Sequence, residues 1–132
     1  MTILITGSTG ALGSELEKIF PDSISPTHKE FDICDLSAVK DFFNKHKIDI
    51  VIHNAAVVGT DVVALKPSEA TLTNVTGTYN IIRAANKCNI PVVYLGTTVI
   101  YDAKLYQELH IKEDSVRGPH TYYGHLKVTA EE

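Results

Sequence analysis

Tyr123 and Lys127 stand four positions apart in Tyr123-Gly124-His125-Leu126-Lys127. On a helix that spacing puts a phenol and an ammonium on one face. A phenol, with a reference pKa near ~10, is a poor acid–base group at neutral pH. A neighbouring cation stabilises the phenolate and lowers that value. Such a pair can give a proton to a carbonyl oxygen or take one from an alcohol. The plain alternative is a helix with a tyrosine at its edge and a lysine on its surface. A hydroxyl that polarises the carbonyl would complete the set. Val92-Val93-Tyr94-Leu95 reads as a strand and runs into Gly96-Thr97-Thr98-Val99-Ile100-Tyr101-Asp102. Thr97 is the candidate there and Thr98 its close rival, although β-propensity alone also places threonine near strands.

A second motif suits a ligand. Gly7-Ser8-Thr9-Gly10-Ala11-Leu12-Gly13 lies between an apolar run and a helical one. Gly7 permits a tight turn, Gly10 lets backbone approach a diphosphate, and Gly13 lets the helix pack on the sheet. The helix N-terminus offers free N–H groups and the positive end of its dipole. Gly7, Thr9, Gly10, Ala11, Leu12 and Gly13 therefore form a candidate dinucleotide cradle, for NAD or NADP. The Lys-Ser/Thr ending of a P-loop is absent. Ser25-Pro26-Thr27-His28-Lys29 follows the expected second strand and holds no carboxylate for a ribose 2′-hydroxyl. Lys29 and the hydroxyls could meet a 2′-phosphate, a lean toward NADP; a solvated loop fits equally. Ile52-His53-Asn54-Ala55-Ala56 ends a strand in small residues that admit a dinucleotide, so Asn54, Ala55 and Ala56 join the cofactor set.

The elements that must position these groups alternate. Thr2 to Thr6, Ile48 to His53 and Pro91 to Leu95 read as buried strands, with a short one at Ser23 to Ser25. Ala11 to Phe20 is helical and stops at Pro21. Leu36 to His46 is helical, with Asp35 as N-cap and Val39, Phe42 and Phe43 inward. Pro67 to Asn86 is one long helix opened by Pro67. Residues 102 to 120 are polar and irregular, and Thr121 to Glu132 is helical. This order predicts a Rossmann-type parallel sheet with helices on both faces, in one domain over residues 1–132, and ligands at the carboxyl ends of the strands.

Composition removes other classes. At 44% hydrophobic and 21% charged residues the chain is ordinarily globular. Its net charge of −4 offers no footprint for nucleic acid or anionic lipid. No apolar run approaches the ~20 residues of a membrane span. Cys34 and Cys88 have no metal or redox spacing, so no metal site is expected; both read as free thiols of a cytoplasmic protein.

With its G-x-x-G-x-x-G spacing the chain resembles the extended short-chain dehydrogenases. It is closest to the dTDP-4-dehydrorhamnose reductase group through residues 94–102 and 119–127, with Glu131 beyond. The resemblance implies reduction of a 4-keto sugar nucleotide by a nicotinamide cofactor, with catalytic Thr97, Tyr123 and Lys127. Lys127 would also hold the nicotinamide ribose. It further implies that Asp32 and Ile33 flank the adenine, although Asp32 or Asp35 may equally cap the following helix. Asn74 would orient a water near the lysine, or be a plain helix residue. Thr98 stands where that group and related dehydratases usually carry Asp, which argues against dehydratase chemistry. A sugar-nucleotide epimerase would use the same residues reversibly, and some relatives are regulatory subunits without turnover. Members run to roughly 300 residues with a smaller substrate domain. The chain would then lack that domain and expose an apolar sheet edge that a homodimer could cover.

Overall fold

The computed structural model of the protein describes residues 1–107 and 111–132. Three short strands, β1 (Ile3–Thr6), β2 (Ile50–His53) and β3 (Val92–Tyr94), form a parallel sheet in the order β1-β2-β3. The register pairs Leu4 with Val51 and Thr6 with His53, then Val51 with Val92 and His53 with Tyr94. Side chains alternate along a strand, so these residues share one face. There Leu4 and Val51 pack with Val39 and Phe43 of α2 (Leu36–Lys45) and with Ile81, Ala84 and Ala85 of α5 (Thr78–Lys87). Burial of each large side chain contributes roughly 1.5–3 kcal/mol. Ile3 and Ile5 point the other way, where α1 (Ala11–Ile19) lies against β1. The expected Rossmann-like architecture is thus present.

The second strand shrinks to a single residue. Ile5 donates its N–H to the Ile24 carbonyl (2.9 Å) and Ile24 returns one to Ile3 (2.8 Å). Ile24 therefore holds one edge of β1 while β2 holds the other. Strand order reverses at β1, which leaves a crevice beyond its carboxyl end. Pro26, with no N–H to give, stops the pairing.

Three other expectations need correction. The long helix is two, α4 (Pro67–Thr71) and α5, joined by a π-helical turn over Leu72–Gly77. A further helix, α3 (Thr60–Leu65), precedes Pro67, and its β-branched residues gave no helical signal. The irregular stretch carries a 3₁₀ turn at Ala103–Gln107 and gives Arg117 to an antiparallel bridge with Tyr101, just after a 3₁₀ turn at Thr98–Ile100; its residues 108–110 lie outside the described ones. The last helix, α6 (Tyr122–Glu131), opens on Thr121, whose Oγ1 accepts the Gly124 N–H at 3.0 Å. Asp35 caps α2 through the N–H groups of Ser37 and Ala38, as expected. No helix among the described residues is long and apolar enough to cross a membrane.

Candidate active site

A crevice of about 770 Å³ opens at the carboxyl end of the sheet. Gly7, Thr9, Gly10, Ala11 and Leu12 line one end, Asp32 and Ile33 a second wall, Asn54, Ala55 and Ala56 the floor, and Tyr123 and Lys127 the far side. Together these are the residues that the sequence motifs and, for Asp32 and Ile33, the family resemblance assigned to a dinucleotide, Gly13 excepted. Gly13 is buried beneath the loop: a Cβ there would sit 2.1 Å from the Gly7 carbonyl oxygen. Gly7 holds φ +72°, and its Cβ would press on the Ala55 backbone at 2.7 Å. Both glycines are thus demanded by packing. Gly10 differs, for a Cβ would meet only the Gly7 carbonyl, at 3.4 Å, and otherwise project into open space. Packing does not demand glycine at Gly10, whose missing side chain leaves that end of the crevice open. Gly10 also caps α1 with no side-chain bond to its first amides, so those N–H groups face the crevice end. The cradle fits a diphosphate.

A buried polar relay holds the floor. The Thr78 hydroxyl donates to the Asn74 carbonyl (2.8 Å), so toward His53 Nε2 (3.0 Å) it can only accept. Nε2 therefore carries the ring proton, and Nδ1 accepts the Thr6 hydroxyl at 2.7 Å. Thr6 Oγ1 in turn accepts the Ala55 N–H at 3.2 Å. Burial, and then the charge of Lys127, push the His53 pKa down to about 4, in keeping with a neutral ring. Asn74, 1% exposed, grips Val57 at both ends: Oδ1 accepts its N–H (2.7 Å) and Nδ2 donates to its carbonyl (2.9 Å). It does not line the crevice, its side-chain amide being taken up by the Val57 backbone. Its amide shapes the floor instead, and the π turn supplies the position. Asp32 lines the crevice, and its Oδ1 accepts the Cys34 N–H at 2.9 Å. From the 25–29 loop, Pro26 and His28 line the crevice while Lys29 does not.

Tyr123 and Lys127 of α6 both line the crevice. The Thr97 hydroxyl lies near enough to the Tyr123 phenol to favour its ionised form and accepts the Val99 N–H at 3.5 Å, whereas Thr98 is exposed. Gly124 makes this approach possible: a Cβ there would lie 2.6 Å from the Val99 carbonyl oxygen and 2.9 Å from Pro119 Cβ. The expected effect of lysine on tyrosine is absent. Burial raises the Tyr123 pKa, and the nearby Thr97 hydroxyl offsets that only in part. The Lys127 ammonium instead donates to the Leu95 carbonyl at 2.6 Å and sits 3.9 Å above the Tyr94 ring. Lys127 is 3% exposed, and burial lowers its pKa to about 8 against an opposing pull from Glu131. Tyr94, Leu95 and His53 were missed because their roles depend on sheet register, which no local pattern carries. Among the described residues no cluster of His, Cys, Asp or Glu could hold a metal ion.

The RmlD substrate-binding domain family model matches residues 1–132. The chain is 29% identical over 97% of its length to methionine adenosyltransferase 2 subunit beta of Xenopus tropicalis, covering 41% of that protein. It is 34% identical over 89% of its length to dTDP-D-glucose 4,6-dehydratase of Mus musculus, covering 34% of it. Among solved structures, a dTDP-4-dehydrorhamnose reductase from Clostridium acetobutylicum superposes with a TM-score of 0.89 at 29% identity, over 99% of this chain and 48% of that one. The chain therefore spans less than half the length of these relatives. With a family model matching from end to end, the chain belongs to the RmlD substrate-binding domain family.

Proposed function

We propose that the chain forms the dinucleotide-binding and proton-transfer part of a reductase that passes hydride from NADH or NADPH to the carbonyl carbon of a 4-keto sugar nucleotide. The observation that carries this is Tyr123 and Lys127, one helical turn apart on α6, lining the same crevice as the glycine cradle, with the Thr97 hydroxyl near the phenol. The α1 amides would take the diphosphate and Lys127 the nicotinamide ribose. Reduced nicotinamide, when bound, supplies the hydride. The Thr97 hydroxyl polarises the keto group, and Tyr123 gives its proton to the oxygen as charge develops there. A phenol held above its ordinary value stays protonated at neutral pH, which favours reduction. An epimerase must first take a proton from an alcohol, a poorer match to such a phenol. The 25–29 loop brings no carboxylate and puts His28 at the crevice, which supports NADPH over NADH.

Titration with NADH and NADPH by fluorescence tests the reading. Gly10→Val removes binding, because its side chain fills the diphosphate space. Tyr123→Phe keeps binding and loses turnover of a 4-keto sugar nucleotide. The likeness to an adenosyltransferase subunit supports a second reading, a dinucleotide-binding regulatory protein. That protein would lose binding with Gly10→Val and have no turnover for Tyr123→Phe to remove. Failure of either dinucleotide to bind the unchanged chain at millimolar concentration overturns both.

A further inference from the structure

Lys127 is almost out of reach of water, and a lysine ammonium in such a place needs other groups to replace its hydration. The Leu95 carbonyl supplies one contact at 2.6 Å. The other is the face of Tyr94, with Nζ 3.9 Å from the ring centroid. Tyr94 is set there by sheet register, as the neighbour of His53 on the same face; the two rings lie 5.9 Å apart. The Tyr94 hydroxyl is buried and has no hydrogen-bond partner among the described residues, so it is the ring that does something here. We propose that Tyr94 is a positioning residue for Lys127, its ring face and the adjoining Leu95 carbonyl fixing the ammonium at the crevice wall where a ribose would lie. This deepens the reductase reading and rests on it.

The groups that face Lys127 can be named in full. Among the described residues, neutral His53 comes from β2, Tyr94 from β3 and Glu131 from α6 itself, with Tyr123 one turn back on the same helix. Glu131 is one turn beyond Lys127 and pairs with Arg117 at 3.1 Å, so part of its charge is already answered. An aromatic face attracts a cation more strongly where water is excluded. Removing it therefore destabilises the protonated lysine more than the neutral one.

The test uses the whole chain labelled with ¹³C-lysine, the Lys127 signal being the one lost in Lys127→Arg. In the unchanged chain and in Tyr94→Phe, its Cε signal carries a ring-current shift and titrates at one common midpoint. In Tyr94→Leu the ring-current shift vanishes and the midpoint falls by about one pH unit. The upper pH limit for NADPH binding falls with it. Should Tyr94→Leu not fold, mono- and trifluorinated phenylalanine at position 94 keep the shape while draining charge from the ring face, and the midpoint falls stepwise along that series. A midpoint indifferent to the fluorinated series, or lowered by Tyr94→Phe as much as by Tyr94→Leu, overturns the proposal. A midpoint that follows the series in a chain that binds no NADPH upholds the role of Tyr94 and sinks the reductase reading instead.

Discussion

Thr97 and Tyr94 illustrate how one side chain can be judged by what it bonds. Thr97 stands near the Tyr123 phenol and outside the cofactor cradle, so its loss should strike turnover and not dinucleotide binding. Thr97→Val is expected to lower kcat by about 10²-fold, the order found when one polarising donor is removed. NADPH affinity should stay unchanged; a matching fall in affinity would show that Thr97 serves the cofactor. Tyr94 is the reverse case, since its hydroxyl is buried without a partner among the described residues. Burial, with Glu131 and Tyr123 nearby, also raises its pKa, so it stays a neutral phenol. Deleting an unsatisfied hydroxyl returns its desolvation cost, so Tyr94→Phe should gain about 1 kcal/mol in urea unfolding. A loss of similar size would mean that the hydroxyl has a partner after all.

At the scale of elements, the site depends on how closely α6 approaches the strand end that carries Thr97. Gly124 sets that distance, because a Cβ there would stand 2.6 Å from the Val99 carbonyl oxygen. Gly124→Ala must push the helix away at a cost of about 1–3 kcal/mol. The Tyr123 phenol should then leave Thr97, with turnover falling further than dinucleotide affinity. Tight dinucleotide binding with full turnover would show that the helix does not need this contact. The alternation of apolar runs and the glycine spacing were enough to place β1, α1, α2 and the cradle, since those signals are local. The π turn was hidden inside one continuous helical run, although Asn74 and Gly77 within it are poor helix formers; its Asn74 reaches the distant Val57 backbone, a contact no local pattern carries. The Ile24 pairing was visible only as a short apolar run before proline. The role of Gly124 and the direction of the Lys127 ammonium are tertiary facts: the four-residue spacing put tyrosine and lysine on one face, and packing against β3 then sent the ammonium to Leu95.

For the whole molecule, both buried bases link the site to global stability. Lys127 is held near pKa 8 against 10.5 for the free side chain. Its folded-state penalty is therefore fully present below pH 8 and fades as pH rises toward 10.5. His53 is held near pKa 4 against 6.5. Above pH 6.5 its imidazole is neutral in both the folded and unfolded chain, and it carries no proton penalty. As pH falls below 6.5 the unfolded chain takes up a proton that the folded chain refuses until about pH 4, so stability drops through that window. From the two values the drop at pH 5 is about 2 kcal/mol. Urea unfolding at pH 7 and pH 5 should show it in the unchanged chain. His53→Gln, which cannot titrate, should be less stable at pH 7 for want of one relay bond, yet lose less between the two pH values. The fall should also bring structural loss at the crevice floor first, because protonated Nδ1 can no longer accept from Thr6, and Thr6 is what holds the Ala55 N–H. The protection factor of the Ala55 amide should fall ahead of those of the sheet core as pH drops from 6.5 to 4. Equal loss of stability in the unchanged chain and His53→Gln would place the acid sensitivity elsewhere.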